Sequence, residues 1–73
     1  MSKFFLHVRR GDTVFEDRKG LDVRDVTDAV RAAVHDARQI VANEPEVLPT
    51  GQWMEVTDDQ GNTVRTLRFE TIV

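Results

Sequence analysis

The chain has 73 residues, 40% of them apolar, 32% charged and none of them cysteine. A domain this small buries roughly 60% of the surface its unfolded form exposes, which leaves room for one two-layer core and not for an enzyme with a deep enclosed pocket. The apolar content argues against disorder, and the missing cysteines exclude disulfides, thiolate zinc sites and cysteine nucleophiles. A net charge of −3 opposes a nucleic-acid module that works by bulk charge.

The first segment, Phe4-Phe5-Leu6-His7-Val8, alternates Phe4, Leu6 and Val8 against Phe5 and His7, the period of a strand with one buried face. This apolar run is too short for a signal segment or a membrane span, so a soluble cytoplasmic protein is expected. Gly11-Asp12 suits a two-residue turn in which Gly supplies a positive φ. Thr13 to Glu16 then returns as a second strand, with Val8 facing Phe15 and His7 facing Glu16. Asp17-Arg18-Lys19-Gly20 breaks that strand.

The clearest periodicity follows. Val26, Val30, Ala33, Val34, Ala37, Ile40 and Val41 recur at steps of three and four and share one helical face. Asp25, with Asp28 three residues on, and Asp22, with Asp25 in that place and Leu21 and Val26 at the staple positions, both offer N-caps, and Asp25 is preferred. Asn43 and Glu44-Pro45 end the helix. Its several valines lower intrinsic propensity, so packing on a sheet must hold it.

Glu46 to Thr50, between two prolines, reads as a loop. Trp53 to Thr57 is a third strand and Val64 to Phe69 a fourth, joined by Asp58-Asp59-Gln60-Gly61-Asn62 as a type I turn with Gly61 in the left-handed position of a bulge. That geometry sets Val56 against Val64, Glu55 against Arg65 and Trp53 against Leu67. Val64 and Leu67 then point to opposite faces. Either a further bulge corrects the parity, or a partner covers part of the second face. The order is therefore ββαββ over residues 1–73, a single α+β domain with one helix on a four-stranded, mostly antiparallel sheet. Antiparallel pairing throughout gives the strand order 2-1-3-4.

Two sets of residues then form a pattern. One is Phe4-Phe5-Leu6-His7-Val8-Arg9 running into Gly11-Asp12, with Glu16-Asp17 and Gly20 ahead of an Asp-capped, Ala-rich helix. The other is Trp53, Val56-Thr57-Asp58, Gly61, Val64, Leu67 and Phe69. Together they resemble a family of short uncharacterised bacterial proteins, a domain of unknown function, along nearly the whole chain. The resemblance implies a single domain in a bacterial cytoplasm and supplies no catalytic or binding residues.

Candidate chemistry is sparse. His7 with Glu16 beside it offers a base and its orienting group, but strand parity turns His7 away from the core, where a cross-strand polar pair is the simpler reading. Arg24, Arg31 and Arg38 recur every seven residues, a stripe suited to phosphate or an acidic partner. Asp28 lies within i,i+4 and i,i+3 reach of the first two and compensates them. The Asp58–Asn62 run lacks the alternating acids of a calcium loop. No phosphate loop, serine elbow or paired zinc ligands occur, and no cofactor or metal site is expected. Trp53, Leu67 and Phe69 form the one grouping suited to a partner surface, if the helix does not cover them. The expectation is a non-enzymatic interaction module, self-associating or binding another protein through a sheet face or edge. A nucleic-acid-associated regulator using the arginine stripe is the alternative.

Overall fold

The computed structural model of the chain describes residues 1–44 and 50–72. Most of the loop expected at Glu46–Thr50 lies outside the described residues. The elements run β1 (Ser2–Arg10), β2 (Thr13–Phe15), β3 (Leu21–Val23), α1 (Val26–Asn43), β4 (Gln52–Asp58), β5 (Thr63–Arg68) and the short α2 (Phe69–Ile72). All strand pairings are antiparallel, in the order β2-β1-β4-β5, and β3 pairs with β1. The expected helix-on-sheet α+β architecture and the expected strand order are both present.

The first hairpin has the expected register, Val8 opposite Phe15, with Gly11 at a φ of +55° in its turn. β3 was not anticipated. Leu21–Val23 returns along the N-terminal end of β1, so β2 and β3 together occupy one edge of β1 as an interrupted strand. β1 is central, with β4 on its other side.

Asp25 caps α1: its side chain accepts a hydrogen bond from the Asp28 N–H at 3.0 Å and so satisfies one of the donors a helix start leaves open. The face that α1 buries is centred on Ala29, Ala33 and Ala37, all fully buried. Val30 and Val34 are only half-buried, at the flank of that face. The expected stripe was right in direction and wrong in centre. An alanine ridge at i, i+4, i+8 has no side-chain bulk to hold the helix off the sheet, so the larger sheet residues fill the gap. Phe4, Met54, Val56 and Phe69 do so, with Leu6, Val8, Val64, Leu67 and Ile72 around them.

The second hairpin corrects the sequence reading. Trp53 pairs with Arg68 rather than Leu67, Met54 with Leu67, and Val56 with Arg65. The ladder then slips, so that Thr57 pairs with Thr63 and Val64 is an inserted residue. Of the two ways to resolve the parity conflict, the bulge is the one used. It packs both Val64 and Leu67, partly buried, against the core. Phe69, expected as strand, starts α2 and is fully buried.

Truncating the core at this junction should be costly. Phe69→Ala is expected to lose about 3–5 kcal/mol and Ala33→Leu, which overpacks the ridge, about 1–3 kcal/mol, both measured by urea unfolding. A near-wild-type Ala33→Leu variant would show that the helix does not pack through its alanines.

Candidate interaction surface

Cross-strand partners share a face, so the pairing defines the side of the sheet turned away from α1. It presents Phe5, His7 and Arg9 from β1, Trp53, Glu55 and Thr57 from β4, and Thr66 and Arg68 from β5. One row across the strands reads Val14, Arg9, Trp53, Arg68. The single tryptophan is thus half-buried between two arginines on adjacent strands. Arg9 Nε lies 3.5 Å from Glu55 Oε2 and is buried without a hydrogen bond among the described residues. Arg68 is exposed and lines, with Trp53, Thr66, Gln52, Gly51 and Glu70, a hollow of about 310 Å3.

The structure separates the expected trio. Trp53 alone faces outward; Leu67 and Phe69 belong to the helix side, because the bulge shifts Leu67 opposite Met54 and α2 folds Phe69 into the core. The arginine stripe is also reduced. Arg24 precedes the helix and donates to Asp28 Oδ2 at 3.0 Å, while Arg31 reaches the same carboxylate at 3.9 Å. The Arg24 hydrogen bond holds the Asp28 carboxyl below its ordinary value and, reciprocally, raises Arg24. Arg38 is exposed on the helix.

His7 does not face Glu16, which lies beyond β2. Its Nδ1 accepts the N–H of Asp17 at 3.0 Å, and its Nε2 is 3.1 Å from the Thr57 hydroxyl. Both ring nitrogens are engaged, in an arrangement that suits the Nε2–H tautomer. The ring stacks parallel to Phe5, 6.2 Å between centroids. This is a positioned side chain rather than a poised base. Among the described residues, no three His, Asp or Glu side chains are grouped so as to hold a metal ion, and no helix is long and apolar enough to cross a membrane.

Two residues matter more than their sequence context suggested. Arg10 donates from Nε to Gln52 Oε1 at 2.9 Å and from one terminal nitrogen to both Glu44 carboxylate oxygens at 3.0 Å, and its guanidinium lies 5.3 Å from the Phe15 ring centroid. It bolts the C-terminal cap of α1 to β4 and β2. Asp17 accepts three backbone N–H groups, from Leu6, Lys19 and Gly20, each at 3.0 Å. The Leu6 and Glu44 contacts have no local sequence signal, since they cross 11 and 34 residues; only the Lys19 and Gly20 bonds of Asp17 are local.

A family model described as a domain of unknown function (DUF6894) matches residues 3–70. The chain belongs to that family. The match takes in both hairpins, the helix and Phe69. No curated protein and no solved structure matches the chain.

Two predictions follow from the polar contacts. Arg10→Ala should lower stability by about 1 kcal/mol, the scale of a partly exposed ion pair with added hydrogen bonds, and Arg10→Lys should recover little of it because the planar fork is lost; thermal unfolding of both variants reads this. For Asp17, partial burial works to raise the carboxyl, but the hydrogen bonds from Gly20, Leu6 and Lys19 and the charge of His7 outweigh it and hold the group below 3.8. Its contribution is therefore present above that value and is lost as pH falls through the lower folded-state value. Asp17→Asn should be less stable than wild type at neutral pH, with the gap closing on acidification. A gap independent of pH would contradict the assignment.

Proposed function

We propose that this protein is a small non-enzymatic interaction module of the bacterial cytoplasm, and that it self-associates through the open sheet face. The observation that carries the reading is the Arg9–Trp53–Arg68 row on the sheet face turned away from α1. A half-buried tryptophan offers a large rigid contact at low entropic cost, the usual anchor of an interface. An isologous contact needs one patch complementary to itself. This face meets that condition by carrying both signs, Arg9 and Arg68 beside Glu55 and Glu70. The engaged nitrogens of His7 support a binding role over a catalytic one. The alternative, a nucleic-acid regulator using Arg24, Arg31 and Arg38, draws on a stripe in which Asp28 already serves two of the three.

Sedimentation over a concentration series tests the reading. The apparent mass should rise with concentration for wild type, and Trp53→Ala and Arg68→Glu should shift it toward monomer without lowering the unfolding midpoint as Phe69→Ala does. A wild-type monomer at every concentration would overturn self-association. Salt-sensitive retention on single-stranded oligonucleotides, lost on replacing Arg38 and Arg31, would favour the alternative.

A further inference from the structure

The outer edge of β1 is not covered by one continuous strand. β2 pairs with Val8 to Arg10 and β3 with Ser2 to Phe4, so the ladder is interrupted beside residues 5–7. An edge N–H within such a gap needs another acceptor. Leu6 N finds it in Asp17 Oδ2 at 3.0 Å. The other carboxylate oxygen accepts the Lys19 and Gly20 N–H groups, and the N–H of Asp17 itself donates to His7 Nδ1. One side chain thus shapes the connection between β2 and β3 and ties it to β1.

The same segment covers part of the open face. Gly20, at a φ of +79°, sits so close to Phe5 that a Cβ there would lie 2.9 Å from the ring. On the outside the segment is loosely held: Arg18 and Glu16 are 87% and 62% exposed, and their own ion pair spans 4.0 Å. Beside it lies a hollow of about 350 Å3 lined by Phe5, His7, Arg18, Thr57 and Asp58, among others. Few apolar contacts, hydrogen bonds near solvent and one shared anchor are the conditions for local opening below the global unfolding energy.

We infer that residues 16–20 form a flap, latched by the Asp17 carboxylate, which opens as a unit while the rest of the sheet stays folded and so uncovers Phe5 and His7 on the open face. The charged and titratable groups around the latch are His7 and Lys3 from β1, Asp22 from β3, Asp58 at the end of β4, and Glu16, Arg18 and Lys19 within the flap. Of these, the charge of His7 acts on the carboxylate and favours its ionised form. Neutralising the carboxylate removes its strength as an acceptor for three N–H groups together. The inference does not depend on what the open face binds.

Amide hydrogen exchange of the full chain, followed residue by residue by NMR, tests it. In Asp17→Ala, protection of the Leu6, Lys19 and Gly20 amides should fall about tenfold or more, while Ala33 in α1 and Met54 in β4 keep theirs. Acidifying wild type through the carboxylate range should produce the same selective loss, and this arm stands by itself if Asp17→Ala does not fold. Unchanged Leu6 protection in Asp17→Ala would overturn the latch. Loss at Leu6, Ala33 and Met54 together, in the variant and on acidification alike, would overturn the separate flap. Neither result bears on the sedimentation experiment, so the two readings fail independently.

Discussion

Everything in this fold depends on how closely one helix can approach the sheet. Among the described residues there is a single long helix with which to cover the strands. With alanine at positions 29, 33 and 37, the contact brings backbone near backbone and lets Phe4, Met54, Val56 and Phe69 supply the volume. Small-against-large packing of this kind reaches interior density without strained rotamers. Its consequence is asymmetry. The aliphatic residues of the long strands are drawn to one side, even where, as at Val64, a bulge is needed to bring them there.

The other side is left to polar and aromatic residues, and its order comes from specific hydrogen bonds rather than bulk burial. His7 and Thr57 hold one end of that face, and the Arg9–Glu55 pair lies toward the other. Arg10 and Asp17 perform a related task at the two weak points of the small sheet. One ties the end of the helix to the strands; the other supplies an acceptor where an edge strand is broken. Both are charged groups meeting two or more partners at once, which is where ionic hydrogen bonds contribute more than a solvated surface pair. The same dependence makes these places the ones most able to open.

On the proposed reading the sheet face turned away from α1 is the contact surface, and the fold alone does not say with what. The choice rests on the residues in that face. A lone tryptophan between arginines, with carboxylates one row away, favours a partner that presents both signs over a uniformly charged polymer. Arg24 and Arg31 share the Asp28 carboxylate, which leaves that side of the helix closer to a solvated surface than to a phosphate-binding row.

The sequence by itself determined neither β3 nor α2, but it did determine the hairpin–helix–hairpin succession, the Asp25 cap and the first hairpin. These follow from period, turn chemistry and capping, which act within a few residues of one another. It also exposed the parity conflict between Val64 and Leu67, and so marked the place where the second hairpin had to be irregular. What it left open were relations between distant segments. The side on which Trp53 lies was decided by the pairing of β4 with β1, which sets it beside Arg9, and the burial of Phe69 by a turn of helix that forms where the strand meets the core. The strand at Leu21–Val23 exists because β1 has an edge to offer it. Arg10 and Asp17 became anchors only when folding brought Glu44 and Leu6 beside them. Such choices depend on which surfaces a single helix can cover and which backbone groups would otherwise lack a partner, and those are properties of the assembled layers rather than of any local run of residues.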